Sequence, residues 1–128
     1  MSTEMKRILV AEDRPSSREL ISTVLHSAGY EIIEAADGAD ALDKAMHNSL
    51  DLVILDLQMP KIDGFGVLAA LRKDPRFVNV PILALTASAM HGDRERALKA
   101  GFSSYIAKPV DLKGLRLEIE RLIESQGA

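Results

Sequence analysis

The segment Leu52-Val53-Ile54-Leu55-Asp56-Leu57-Gln58-Met59-Pro60 is an apolar run of strand length that ends in one carboxylate, with a proline shortly after it. A strand that is buried on both faces of a sheet has a continuous apolar run, whereas a half-exposed strand alternates. Open α/β sheets bind their ligands outside the carboxyl ends of their strands. Asp56 is therefore a candidate reactive group, although a strand-end aspartate also commonly caps the next turn.

Length and composition limit the class of protein. The 128 residues predict one domain, residues 1–128, with enough chain to bury one core. Hydrophobic residues make up 47% of the chain, which is too many for a disordered segment. The net charge of −3, without a basic arm, argues against direct binding of nucleic acid or an anionic membrane. Because the chain has no cysteine, no signal-peptide pattern and no membrane-length apolar run, we expect a cytoplasmic protein.

Short apolar runs alternate with helical patterns along the whole chain. The predicted strands cover residues 8–11, 31–35, 51–56, 81–85 and 104–107. The predicted helices run from Pro15 to Gly29, around 41–46, from Gly64 to Lys73, from about Met90 to Ala100 and from Leu112 to Ile123. Leu20 and Met46 are part of these apolar patterns, and Ala97 and Leu98 are the core candidates of the fourth helix. Strands that alternate with helices imply a parallel sheet covered on both faces.

Polar side chains stand at the ends of four predicted strands. The first strand ends in Glu12 and Asp13, the third in Asp56, the fourth in Thr86 and the fifth in Lys108. In a parallel sheet these ends share one edge, so three carboxylates, a hydroxyl and an ammonium would share one pocket. Two carboxylates ~4 Å apart repel by roughly 4 kcal/mol at an effective dielectric constant of 20. Either one of them takes up a proton or a cation holds them together.

This set of side chains points to phosphate chemistry. Oxygen ligands without His or Cys select Mg²⁺ or a similar ion, which keeps several waters and accepts phosphate oxygens. A lysine opposite supplies a point charge for the same anion. Taken singly, Glu12-Asp13 also suit helix capping, Thr86 a helix start and Lys108 the protein surface. Their occurrence together at four strand ends favours a phosphoryl site built around Asp56.

Four motifs resemble those of the CheY-like receiver domain of bacterial two-component response regulators, over residues 6–123. They are Ile8-Leu9-Val10-Ala11-Glu12-Asp13, D-L-V-I-L-D-L-Q-M-P-K-I-D-G at 51–64, P-I-L-A-L-T-A at 81–87 and Tyr105-Ile106-Ala107-Lys108-Pro109. The resemblance implies a flavodoxin-like, doubly wound five-stranded parallel sheet of order 2-1-3-4-5 with five helices. It also implies a cis peptide between Lys108 and Pro109.

The same resemblance implies a metal site. Asp56 is the expected phospho-acceptor, and Mg²⁺ is expected on Asp13, Asp56 and the backbone carbonyl of Gln58. Glu12 is expected to act through metal-bound water. It stands where many members have Asp, a difference that bears on metal affinity. Arg14 follows the acid pair, either at the mouth of the pocket or as a solvated loop residue.

The remaining motif residues are expected to carry the signal. Lys108 would pair with the phosphoryl group, Thr86 would be the switch hydroxyl and Tyr105 the switch aromatic. Gln58 and Ser88, each two residues beyond a site residue, are expected to tune the lifetime of the acyl phosphate. The weakly apolar fourth helix is the element expected to respond, because low local packing makes a segment easy to shift.

The expected function is that of a stand-alone, phospho-accepting response regulator in a two-component or phosphorelay pathway. Its catalysis is limited to its own phosphorylation and dephosphorylation. The expected partners are a histidine kinase or histidine phosphotransfer protein and a downstream protein target. The resemblance also leaves open a homodimer through the fourth helix, fifth strand and fifth helix.

Three other functions compete with this interpretation. A Mg²⁺-dependent small-molecule phosphohydrolase would also use aspartyl-phosphate chemistry, but its nucleophile is expected in an Asp-x-Asp pair, and strand one ends Glu12-Asp13-Arg14. A second alternative is an interaction module that is never phosphorylated. The complete set of acids, hydroxyl and lysine argues against it, because such a module need not retain all of them. A flavodoxin-type FMN carrier would have only Tyr30 and Tyr105 to stack on the flavin, and no phosphate-cradling loop follows strand one.

Overall fold

Five parallel strands form one sheet in the order β2-β1-β3-β4-β5, in a computed structural model that describes residues 5–87 and 92–127. The strands are β1 (Arg7–Ala11), β2 (Glu31–Ala35), β3 (Leu52–Asp56), β4 (Ile82–Thr86) and β5 (Ser104–Ala107). The helices are α1 (Pro15–Ser27), α2 (Gly38–Met46), α3 (Gly64–Arg72), α4 (Asp93–Ala100) and α5 (Leu112–Gly127). The flavodoxin-like order and the five helices predicted above are confirmed. One domain over residues 1–128 stays a prediction.

The apolar runs are continuous because both faces of the sheet are buried. Every residue of β3 and β4 is buried. Alternate side chains point to opposite faces, so Leu9 and Val53 join one core cluster, whereas Ile8 and Ile54 join the other. Among the described helices, none combines the length and the apolar character that a bilayer span requires.

Gly64 brings α3 against the carboxyl end of β3. A Cβ atom at this position would lie 2.7 Å from the carbonyl oxygen of Asp56 and 2.9 Å from Cα of Leu57. Asp63 precedes it as the N-cap of α3, and its side chain accepts a hydrogen bond from the N–H of Gly66. The helix can therefore start directly beside the residue that was singled out as reactive.

Three apolar residues in the helical patterns are exposed. Leu98 was expected in the core together with Ala97, but Ala97 is buried and Leu98 is 39% exposed. Adjacent helical positions are ~100° apart, and α4 contacts the core through a narrow face. Leu20 and Met46 are 54% and 60% exposed, although both match the apolar spacing of their helices.

Several element boundaries differ from the predicted ones by a few residues. The third strand begins at Leu52 rather than at 51, and the fourth begins at Ile82 rather than at 81 and ends, as expected, at Thr86. Asp51 instead accepts a hydrogen bond from the N–H of Arg7, and Pro81 has no N–H to give to a ladder. The last helix continues to Gly127, and α4 begins at Asp93. The predicted start of that helix at Met90 lies outside the described residues.

Candidate functional site

The polar residues at the strand ends meet at one edge of the sheet. Asp56 is the last residue of β3, and Glu12 and Asp13 directly follow β1. One carboxylate oxygen from each of these three residues lies within 4.8 Å of the other two. Glu12 and Asp56 are buried, whereas Asp13 is partly exposed. The arrangement follows from the topology, because β1 and β3 are adjacent and parallel.

Lys108 connects two of the carboxylates. Its Nζ donates to Oε1 of Glu12 at 2.8 Å and to Oδ2 of Asp56 at 2.7 Å. Only 17% of the lysine side chain is exposed. The other carboxylate oxygen of Asp56, Oδ1, accepts a hydrogen bond from the backbone N–H of Gln58 at 2.9 Å. The Asp56 carboxylate is therefore oriented by donors on both of its oxygens.

The two buried carboxyls of this cluster have pKa values shifted in opposite directions, raised for Glu12 and lowered for Asp56. Burial and, to a lesser extent, the facing Asp56 raise the pKa of Glu12 to about 7, against the opposing effect of Lys108. Burial would also raise the pKa of Asp56, but interactions with Glu12, Lys108 and the Gln58 N–H outweigh burial and lower it. Burial works against the charged form of Lys108, yet its bonds to Asp56 and Glu12 raise its pKa. Asp56 is thus the carboxyl that stays ionised.

The donor set fits a hard divalent cation. Oε2 of Glu12 is buried and has no hydrogen-bond partner within residues 5–87 and 92–127. A buried acceptor without a donor is rare in folded proteins. Together with oxygens of Asp13 and Asp56 it forms an all-oxygen cluster of the kind that Mg²⁺ prefers, with Asp13 partly exposed to solvent.

Thr86 and Tyr105 lie on the same face of the sheet, on the adjacent strands β4 and β5. Tyr105 is opposite Ala84, and Thr86 is opposite Ala107, so Thr86 and Tyr105 are diagonal neighbours whose directly opposed residues are both alanines. Thr86 is buried, and its carbonyl accepts a hydrogen bond from the N–H of Lys108 at 2.7 Å. The Oη of Tyr105 is buried without a hydrogen-bond partner among the described residues. Burial also raises the pKa of this tyrosine.

Other predicted residues lie at the margins of this cluster. The Lys108–Pro109 peptide is cis, as the family resemblance implied. Arg14 is exposed and lines a surface cleft together with Lys108 and Pro109, so it stands beside the pocket rather than among the carboxylates. Ser88 lies outside the described residues.

Arg18 is a contact residue that the sequence analysis did not single out. Its Nη1 donates to the backbone carbonyl of Glu12 at 2.8 Å. The signal in the sequence is a basic residue in the first turns of the helix that follows the acid pair, a position that a solvent-exposed arginine would equally suit. The contact depends on the angle at which α1 packs on the sheet, which periodicity does not report.

Comparison with known proteins gives the same family throughout. The sequence model of the response regulator receiver domain matches residues 8–120. The polar-differentiation response regulator DivK of Brucella anthropi is 35% identical over 107 residues, which cover 84% of this chain and 87% of DivK. The DNA-binding dual master transcriptional regulator RpaA of Synechocystis sp. is 36% identical over 119 residues, covering 93% of this chain and 49% of RpaA. The chain thus spans about half the length of RpaA and of two further relatives, the probable transcriptional regulators ycf27.

One of the similar solved structures contains a metal ion. The receiver domain of the sensor histidine kinase PA1611 from Pseudomonas aeruginosa superimposes with a TM-score of 0.87 at 36% identity, covering 94% of this chain and 99% of that one. That protein was solved with a magnesium ion coordinated in its active-site cleft. With a family match over most of the sequence, the shared fold and the acidic cluster at the carboxyl edge of the sheet, this chain belongs to the response regulator receiver domain family.

Proposed function

We propose that Asp56 is the phospho-accepting residue of this receiver domain. One observation carries the assignment: the buried Asp56 carboxylate is held ionised between the ammonium of Lys108 and the N–H of Gln58. A nucleophilic carboxylate must be charged and oriented, and these donors meet both requirements. Glu12 holds its proton up to a higher pH, so a smaller fraction of it is ionised near neutral pH than of Asp56.

The metal that supports this reaction is proposed to be Mg²⁺, held by Asp13, Asp56 and the backbone carbonyl of Gln58, with Glu12 in contact through water. When bound, Mg²⁺ supplies positive charge that offsets the charge of the incoming phosphoryl group and its transition state. The unpartnered Oε2 of Glu12 and the convergence of three carboxylates support this ligand set. The magnesium ion in the cleft of the PA1611 receiver supports it from a relative.

The proposed reaction is the transfer of a phosphoryl group from a donor histidine to Asp56. An oxygen of Asp56 forms a bond to phosphorus while the bond from phosphorus to the donor histidine nitrogen breaks, and the electron pair leaves with the imidazole. Lys108 is already within hydrogen-bond distance of Asp56, so its ammonium can follow the negative charge onto the phosphoryl oxygens. The product is an acyl phosphate that water can later cleave, at a rate that we propose Gln58 and Ser88 tune.

The signal is proposed to travel through Thr86 and Tyr105 to α4. A phosphoryl group on Asp56 adds charge and acceptor oxygens, which attract the Thr86 hydroxyl. Movement of that hydroxyl opens space on the face that Tyr105 shares. Ala97 is the one residue of α4 that is buried, so little apolar area resists a shift of this helix. A complete switch from 1:99 to 99:1 requires about 5.5 kcal/mol of differential stabilisation.

The proposed phosphodonor is a histidine kinase or a histidine phosphotransfer protein, and the proposed receiver of the signal is a downstream protein. The α4–β5–α5 face is the proposed contact surface for that target and for a homodimer. We place the reaction in the cytoplasm and propose that turnover is limited to the domain's own phosphorylation and dephosphorylation. The phosphohydrolase alternative gains no support from the family match.

The assignment is tested by labelling the protein with acetyl phosphate and Mg²⁺ and measuring the phosphorylated fraction by intact-mass spectrometry. Asp56→Asn should abolish the label. Asp43→Asn, which changes an exposed aspartate on α2, is the matched control and should label like wild type. Labelling of Asp56→Asn at wild-type stoichiometry would refute the assignment. Steady release of phosphate from small phosphate monoesters by the wild-type protein would instead favour the phosphohydrolase.

A further inference from the structure

The guanidinium of Arg18 connects α1 to the residue that follows β1. Its Nη1 donates to the carbonyl oxygen of Glu12 at 2.8 Å, and its Nε donates to Oε1 of Glu34 at 3.2 Å. Only 19% of the arginine side chain is exposed. A planar guanidinium with two such partners has a defined orientation, because its donors point in fixed directions.

The backbone of Glu12 is thereby held on both sides. Its N–H donates to the carbonyl oxygen of Ala35, the last residue of β2, at 3.1 Å. The registers of β1 with β2 and β3 both end at Ala11, so the carbonyl of Glu12 lies beyond the strand ladder. That carbonyl belongs to the planar peptide that joins Glu12 to Asp13. Its direction therefore determines where the chain, and with it the Asp13 carboxylate, leaves the strand.

We propose that Arg18 is a positioning residue that fixes the Glu12–Asp13 peptide so that the carboxylates of Glu12, Asp13 and Asp56 can share one Mg²⁺ ion. The proposal rests on the proposed function, which assigns Mg²⁺ to these groups. Their oxygens already lie within 4.8 Å of one another. Because Mg²⁺ requires near-ideal octahedral geometry, a small rotation of this peptide weakens the site.

Arg18 acts through orientation more than through charge. The carboxylate of Glu34 pairs with the guanidinium and balances its charge. A lysine at this position would keep the positive charge but would lack the planar set of donors that meets a carbonyl and a carboxylate together. Arg18→Lys should therefore recover only part of the function that Arg18→Met loses.

The experiment measures Mg²⁺ affinity without any phosphodonor. Backbone amide signals of ¹⁵N-labelled wild type, Arg18→Met and Arg18→Lys are titrated with MgCl₂, and urea unfolding in EDTA gives the stability of each. Arg7→Met is the matched control, because Arg7 also pairs with a glutamate, Glu31 at 3.1 Å, at the opposite end of the β1–β2 pair, where its side chain is more exposed. Loss of a partner that orients a metal ligand weakens metal binding by about 10-fold to 100-fold. We expect a Kd at least about 10-fold higher for Arg18→Met, an intermediate value for Arg18→Lys and no change for Arg7→Met.

Each outcome discriminates. A Kd for Arg18→Met within about twofold of wild type, with only the unfolding free energy lowered, would overturn the positioning role, as would full recovery by Arg18→Lys. If Arg18→Met does not fold, Arg18→Lys tests the positioning role. The role then requires that the Mg²⁺ Kd of Arg18→Lys rises while that of Arg7→Met stays at the wild-type value. A wild-type protein whose signals do not respond to Mg²⁺ would overturn the proposed metal site and this role with it. A wild type that responds while the Arg18 variants match it would overturn this role alone.

Discussion

Replacing Lys108 by Met tests the electrostatics of the site most directly. The substitution keeps most of the aliphatic chain and removes the ammonium that lies 2.8 Å from Glu12 and 2.7 Å from Asp56. Removing one partner of a buried ion pair costs roughly 3–5 kcal/mol, because the remaining charge stays buried without compensation. Glu12 limits the loss by taking up a proton, since its pKa is already about 7. We therefore expect a loss of about 3 kcal/mol at about pH 8 without Mg²⁺.

The pH dependence of this loss has a definite sign. A carboxyl whose pKa is raised on folding binds more protons in the folded state, so it makes the protein more stable as the pH falls through that pKa. Without Lys108 the pKa of Glu12 rises further, since the ammonium is one of the groups that lower it. The deficit of Lys108→Met should therefore shrink by more than half between about pH 8 and about pH 5.5. It should also shrink when Mg²⁺ is added, because the metal replaces the missing positive charge.

Urea unfolding followed by circular dichroism measures these free energies. Lys61→Met is the control, because Lys61 is largely exposed and lies 3.4 Å from Asp37. Exposed pairs contribute at most about 1 kcal/mol. If Lys108→Met lost no more stability than Lys61→Met, or lost the same amount at both pH values, the buried network would not have the charges assigned to it here.

Four further predictions test other parts of the molecule. Mg²⁺ at 100 times its Kd should raise the unfolding free energy of wild type by about 2.7 kcal/mol, and Asp13→Asn should reduce this gain in the same urea titration. Gly64→Ala should destabilise the protein by roughly 1–3 kcal/mol, because its Cβ would meet backbone atoms of Asp56 and Leu57. Gly114→Ala is the control and should not destabilise the protein, because a Cβ atom there would contact only the side chain of Asp111. Equal losses of unfolding free energy for the two variants would contradict this explanation. Arg72→Met removes donors to three carbonyls, those of Phe77, Val80 and Gly101. It should cost about 2–4 kcal/mol, and more than Arg76→Met, because Arg76 lies at a largely exposed pair. Arg121 and Ser104 lower the pKa of Glu118, so Glu118→Gln should be less stable than wild type at neutral pH. That difference should vanish in thermal melts as the pH falls through the folded-state pKa, and a difference that persists in acid would refute the pairing.

The sequence pattern alone predicted a parallel α/β sheet and the polar residues that meet at its carboxyl edge, whereas the strand order was implied by the resemblance to receiver domains. Continuous apolar runs identify strands that are buried on both faces, and their alternation with helices implies a parallel sheet whose carboxyl ends share one edge. The acids after β1 and β3 and the lysine after β5 therefore had to lie at one edge, whatever the details of packing. These conclusions need only local periodicity and chain connectivity.

Only the tertiary structure decided the distances and the environment of each group. Which of two carboxyls stays ionised depends on burial and on Lys108 lying between them, and neither can be read from spacing. The contact of Arg18 with Glu12 depends on how α1 packs on the sheet. The exposure of Leu20 and Leu98 likewise depends on which part of each helix meets a neighbour. Periodicity states which residues share a face, whereas burial and electrostatics depend on what packs against that face.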